Sequence, residues 1–240
     1  MIYLLILLTC LLGGGSLFLF ALFLFWGSLG LVQLDLGLAG ALWLDAGLSL
    51  AFFVQHSGMI RSSCRRRLGR ILPEKYHGAL YTIVSGVFLL AVVILWQGGD
   101  YQLLTLTGGL RRLARLVFFL ALAGFFWGVV SLEFFDPFGL IPLFSNRPAL
   151  AGQPQELVRR GPYRWVRHPL YFCVILLIWS CPDLTADRLL FNILWTVWIN
   201  VGARLEEREL IDTFGQTYLD YRRQVPRLLP FRRAQPLKPD

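Results

Sequence analysis

The stretch Arg160-Gly161-Pro162-Tyr163-Arg164-Trp165-Val166-Arg167-His168-Pro169-Leu170-Tyr171 gathers basic, aromatic and helix-starting residues directly before an apolar run. Pro169 suits the first position of a helix and His168 the cap before it. The spacing therefore predicts a helix start whose free backbone N–H groups lie beside Arg167 and His168. Such a start favours an anionic group, a carboxylate above all. Juxtamembrane cations meeting lipid phosphates explain Arg159, Arg160 and Arg164 without any chemistry, but they do not explain His-Pro-x-Tyr. A second concentration is Arg204-Leu205-Glu206-Glu207-Arg208-Glu209-Leu210, which sets adjacent carboxylates at the end of another apolar run. Charges there are costly unless paired or used. Asn200, Arg204 and Glu207 are spaced i, i+4, i+7 and share one helical face, with Glu206 turned about 100° from Glu207. The two glutamates can thus serve different partners. An amphipathic helix emerging into water is the competing reading of this segment. Gln55-His56-Ser57, Glu133 and Asp136 add ionisable groups at the ends of two earlier apolar runs, and Asp45 lies deeper in one of them.

The elements that must position these groups are membrane helices. The chain has 240 residues, 56% of them hydrophobic and only 16% charged, with a mean hydropathy of +0.58. A soluble domain carries about a quarter charged residues. A membrane span needs roughly 20 apolar residues, and that length places helices at about 3–27, 36–56, 78–97 and 115–135, then a shorter pair at about 169–181 and 186–203. Cys181-Pro182-Asp183 supplies the break within that pair, with Asp183 suited to cap the second helix. The predicted fold is all-α: a polytopic integral membrane protein of about six transmembrane helices ending in a helical hairpin and a tail. Residues 1–34 carry no side-chain charge and lack a basic leader region, so they read as a retained anchor. All Lys and Arg except Arg111, Arg112, Arg115 and Arg188 fall on one side of this layout, which predicts that both termini are cytoplasmic.

The net charge of +8 does not indicate nucleic acid, because the arginines lie between apolar runs and not on a basic face of a soluble domain. Cys10, Cys64, Cys173 and Cys181 have neither metal-ligand nor disulfide-framework spacing and read as free thiols, so no bound metal is expected.

Gly161-Pro162-Tyr163, Arg167-His168-Pro169 with Tyr171, Glu206-Glu207, Phe214-Gly215 with Tyr218, Tyr221, Val225-Pro226 and Pro230 follow in the order and rough spacing of one known signature. In this the chain resembles the isoprenylcysteine carboxyl methyltransferase and phospholipid methyltransferase superfamily over about residues 157–231. Gln55-His56-Ser57 with Arg61, and Trp179, Pro182, Thr185, Leu189, Leu190 and Phe191, make it more similar to the branch of methanethiol S-methyltransferases and NnrU-like membrane proteins. It departs from the thiol methyltransferases at Ile141-Pro142-Leu143, where a polar Arg-Gln is expected, and at Arg204, where a neutral residue is expected.

The resemblance implies membrane helices in residues 1–156 and a methyltransferase core in 157–240, with S-adenosyl-L-methionine as cofactor. It further implies cofactor contacts from Tyr163, Arg167, His168, Pro169, Tyr171, Glu206, Glu207, Pro226 and Leu229. Arg167 and His168 would meet the amino-acid end, and the stretch Val225 to Pro230 would cover the adenine. Glu207 or His56 is the candidate catalytic residue, as proton acceptor from a thiol. The acceptor is expected to be a small molecule or lipid-linked, in a setting of membrane lipid. An isoprenylcysteine carboxyl or phospholipid amine methyltransferase, and a non-enzymatic NnrU-like membrane protein, stand as the alternatives.

Overall fold

The computed structural model describes residues 2–132, 136–144 and 157–230; Glu133, Arg147 and the basic residues after Pro230 lie outside them. The described chain is mostly helical, and four segments are long and apolar enough to cross a membrane: Ile2–Trp26, Leu38–Ile60, Glu74–Leu95 and Gly108–Val130. Their outward faces carry Leu11, Phe18, Trp43, Val54, Phe119, Phe126 and Val130, all exposed. Water would penalise so many large apolar side chains, whereas lipid covers them without cost.

Helix α1 (Ile2–Trp26) contains a π-helical turn at Cys10–Gly14. This turn meets α3 (His77–Leu95) so closely that a Cβ on Gly86 would lie 2.5 Å from the Leu12 carbonyl oxygen. Glycine at that crossing permits backbone-to-backbone approach, as is common between membrane helices. Helix α2 (Leu38–Ile60) packs against α3. After α3 comes β1 (Gln102–Thr105), and the next helix, α4 (Gly108–Val130), begins seven residues before the predicted 115. Arg111 and Arg112, placed before the predicted helix, ride with Arg115 on the first two turns of α4. Helix α5 spans Pro169–Trp179. Asp183 does not cap the following helix: it lies in β2 (Asp183–Thr185), which pairs antiparallel with β1 and sets Asp183 opposite Thr105. Helix α6 then runs over Ala186–Phe214, well past 203. Gly215, at φ +55°, turns the chain into α7 (Gln216–Gln224).

Contacts divide the chain into two compact units. The first takes α1, α2, α3, the ribbon and the start of α6 through Leu194. Its interior holds a polar cluster. Asp45 Oδ1 accepts the Gln97 N–H (2.9 Å), and the Gln97 side chain reaches Val32, Leu34 and Leu95 backbone groups. Asp187 accepts from Trp96 Nε1 and Gly99 N, each at 3.1 Å. Arg188 donates to the Phe23 and Leu24 carbonyls at the end of α1 (3.0 and 2.8 Å) and lies over the Phe23 and Phe191 rings. A guanidinium stationed on the last carbonyls of a helix complements the negative end of its dipole.

The second unit takes α4, α5, the rest of α6, α7 and the residues after it. Small residues on α4 set its crossing with α5: a Cβ on Gly128 would lie 2.6 Å from Leu170, and one on Gly124 would lie 3.1 Å from Cys173 Sγ. On α6 the buried positions Trp195, Ile199, Ala203 and Glu207 recur every four residues, one inward stripe that ends in a carboxylate.

Candidate functional site

The site is built in the second unit from the start of α5. Pro169 occupies the first helical position and His168 the cap, as the spacing predicts. The Phe172 N–H reaches the His168 carbonyl (3.1 Å), closing the first helical turn. The first backbone donors of such a helix start fall outside the intrahelical pattern. Gly161–Arg164 forms a tight turn before it, possible because Gly161 adopts φ +56°. This turn is pinned to α7 by the Tyr221 hydroxyl donating to the Tyr163 carbonyl (2.6 Å) and by Arg159 Nη2 donating to the Thr217 carbonyl (2.9 Å).

Arg167 is the hub. Its Nε and Nη2 donate to Glu207 Oε1 at 2.9 and 2.5 Å, while Nη1 donates to the Arg222 carbonyl (3.1 Å) and to that of Val225. Its backbone N–H donates to the Pro226 carbonyl (2.9 Å), and that of His168 to the Arg227 carbonyl (3.0 Å). The chain just after α7 is thus laid as a strap along Arg167-His168. Arg227 extends the strap to α6 by donating to Asn200 Oδ1 (3.3 Å).

His168 is buried and stacks on Tyr171, with ring centroids 5.3 Å apart. Its ring lies between the two glutamates, Nδ1 3.6 Å from Glu206 Oε2 and Nε2 3.4 Å from Glu207 Oε1. Neither distance makes a good hydrogen bond, and His168 Nε2 is a buried atom without a hydrogen-bond partner among the described residues. The adjacent glutamates are in different surroundings, as their angular offset on the helix requires: the Glu207 side chain is 9% exposed and that of Glu206 46%. Burial alone would raise the Glu207 carboxyl, but His168 and Arg167 beside it reverse the effect and hold it at about 2. Burial, followed by the Glu206 and Cys173 charges, pushes the Tyr163 hydroxyl up.

Of the residues singled out from sequence, the structure brings Tyr163, Arg167, His168, Pro169, Tyr171, Glu206, Glu207 and Pro226 into this one unit, the last through its carbonyl. Leu229 belongs to the same unit but is exposed. His56 belongs to the first unit, where both ring nitrogens lie 3.0 Å from the Tyr81 hydroxyl and the ring rests against Phe52. Arg204, on the same predicted face as Glu207, is exposed. Sequence reasoning assigned no role to Tyr218. It is buried with Tyr221 and Val225 against Leu157, Leu210, Ile211 and Phe214. The i, i+3, i+7 spacing of Tyr218, Tyr221 and Val225 was the available signal.

A buried Arg–Glu pair, an imidazole beside it and a helix start are groups of the kind that bind the two charged ends of a small zwitterion. Comparison with known proteins fixes the lineage, since the NnrU protein family model matches residues 44–203. The chain belongs to the NnrU family. Relatives include the methanethiol S-methyltransferase of Pseudomonas deceptionensis, 32% identical over 205 residues that cover 82% of this chain and 75% of that one. The methanethiol S-methyltransferase of Mycobacterium tuberculosis is 32% identical over 184 residues, covering 75% and 74%. The protein-S-isoprenylcysteine O-methyltransferase of Xenopus laevis is 38% identical, but over only 91 residues, 35% of this chain and 30% of that one. No solved structure matches. This NnrU-family chain is a methyltransferase, and its methyltransferase relatives imply a methyl donor.

Proposed function

We propose that this chain methylates a small thiol, with S-adenosyl-L-methionine as donor, at the second-unit site around Arg167, His168 and Glu207. The observation that carries the reading is the buried Arg167–Glu207 pair beneath the strap, with the His168 imidazole open beside it. The residues present suit the cofactor: Glu207 offers an anion for an ammonium, and His168 and the start of α5 offer donors for a carboxylate. Tyr163, Tyr171 and the strap residues Val225 to Pro230 supply the walls. Bound there, S-adenosyl-L-methionine supplies an electrophilic methyl group on a sulfonium centre.

The protein's own part is holding and exclusion. Arg167 fixes Glu207 and the strap with one guanidinium, so the anion keeps its place whenever the strap is closed. The strap backbone, tied to Arg167 and His168, excludes water from the same edge. Positioning of this kind accounts for much of an enzyme's rate. A carboxylate held at about 2 is a weak base toward a thiol, whose ordinary pKa is about 8.5 in cysteine. We therefore give Glu207 the holding role and not that of a base.

The same reading extends to the membrane. Helices α5 and α6 are taken as a helical hairpin that completes about six spans, both termini are cytoplasmic, and residues 157–240 form the methyltransferase core. The methanethiol S-methyltransferases match over most of the chain and the isoprenylcysteine enzyme over about a third, which favours a small thiol over a lipid-linked acceptor.

The test is methyl transfer by the purified full-length protein. Dimethyl sulfide is expected from methanethiol and S-adenosyl-L-methionine, with no methyl ester formed on an isoprenylated cysteine. Ester formation without sulfide formation would overturn the small-thiol assignment.

A further inference from the structure

The connection between α2 and α3 carries a basic surface that has no part in the site around Arg167. Residues 61–73 hold Arg61, Arg65, Arg66, Arg67 and Arg70 and no acidic residue, so the segment does not neutralise its own charge. Ser62–Leu68 is a short helix with Arg65, Arg66 and Arg67 in its last turn. These three and Arg70 are exposed. Beside them Ile71 is 87% exposed.

The segment is folded back on itself and kept at the membrane surface. It joins two helices long and apolar enough to span, Leu38–Ile60 and Glu74–Leu95, and its 7 helical residues rise only about 10 Å. The N–H groups of Gly69, Arg70, Ile71 and Leu72 donate to the carbonyls of Arg65, Arg67 and Leu68 at 2.8–3.2 Å. His77 Nε2, at the start of α3, lies 2.9 Å from the Leu72 carbonyl oxygen. Backbone donors are thus taken up locally, and the surface offers guanidiniums and one aliphatic side chain outward.

A cluster of basic residues directly beside a span is attracted to anionic lipid, and a guanidinium matches a phosphate with two parallel N–H···O bonds. A phosphocholine headgroup brings its own cation and gains less from such a surface. A free phosphate would leave Ile71 in water, whereas lipid offers it the boundary between headgroups and acyl chains. Retention of positive charge on one side of a membrane depends on the charge alone and gives no reason for an exposed isoleucine among the arginines.

We propose that residues 65–71 form a docking surface for anionic phospholipid, with Arg65, Arg66, Arg67 and Arg70 meeting headgroup phosphates and Ile71 entering the acyl boundary. This surface lies in the first unit and does not depend on the methyl-transfer reading.

The experiment is native mass spectrometry of the full-length protein released from micelles doped with equal amounts of phosphatidylglycerol and phosphatidylcholine. The wild type is expected to retain phosphatidylglycerol in preference by about fivefold, the factor that one basic residue near an anionic surface contributes. Arg65→Gln/Arg66→Gln/Arg67→Gln is expected to lose most of that preference. Arg204→Gln/Arg208→Gln/Arg223→Gln, which removes the same charge from other exposed positions, is expected to keep it. Ile71→Ser should retain less lipid of either kind, and millimolar inorganic phosphate should displace none from the wild type. Thermal unfolding of each variant checks that it is folded. No preference in the wild type, equal loss in the two triple variants, or displacement by inorganic phosphate would each overturn the proposal, the wild-type arms needing no variant to fold.

Discussion

The molecule has two buried clusters of charged and polar side chains, and they are finished to different degrees. In the first unit, Asp187 accepts two hydrogen bonds, Gln97 makes three through its side chain and Arg188 occupies the last carbonyls of α1. Apart from Asp45 Oδ2, this cluster consumes its own valences: loop backbone and helix ends take up what the side chains offer. In the second unit Arg167 is equally committed, yet His168 Nε2, the Tyr218 hydroxyl and Gln224 Oε1 have no hydrogen-bond partner. Buried polar groups in native proteins are nearly always paired. A cluster that closes on itself holds the fold, and the open groups of the second are where the proposed cofactor would find its partners.

The comparison breaks most readily at Glu207. Glu207→Gln leaves the buried Arg167 guanidinium without its anion, a change that costs about 3–5 kcal/mol in other buried pairs. It also removes the anion proposed for the cofactor's ammonium. Chemical unfolding in detergent should register the loss, and S-adenosylhomocysteine binding should fall below detection. Retention of both would show that Glu207 belongs with the finished cluster.

Acid offers a gentler version of the same test. The Glu207 carboxyl is held at about 2 against an ordinary 4.5, so its contribution to stability is fully present above about pH 4.5 and is lost as pH falls toward 2. At about 1.4 kcal/mol per unit that contribution is on the order of 3 kcal/mol. Unfolding temperature recorded from pH 7 down to 3 should decline more steeply below 4.5 for the wild type than for Glu207→Gln. Parallel curves would contradict the assignment.

Arg188→Met should have the smallest effect of the three. Two hydrogen bonds from a charged donor to α1 carbonyls are lost, about 2 kcal/mol after the methionine recovers part of the packing. Cofactor affinity of the folded fraction should not change. A selective loss of affinity at unchanged stability would make the first cluster functional as well.

These distinctions were only partly legible in the sequence. Pro169 and His168 announce a helix start through local geometry, so that element was visible. The apolar lengths of the first four spans were visible for the same reason, although α4 begins seven residues before the predicted 115. A criterion of roughly 20 apolar residues does not reach the polar first turns of a helix. The ribbon between β1 and β2 was missed because its two strands lie some 80 residues apart and have three or four residues each. Pairing over that separation leaves no local pattern. The commitment of Arg167 was hidden in the same way. Its partners are a carboxylate 40 residues on and carbonyls 55 and 58 residues on, and backbone acceptors carry no residue-type signature.

The most direct test of the account is a calorimetric titration of folded, detergent-purified wild-type protein with S-adenosylhomocysteine. The account predicts one saturable site per chain with affinity near micromolar, roughly −8 kcal/mol. Absence of binding by protein shown to be folded would contradict it, leaving the open groups around Glu207 without the ligand assigned to them.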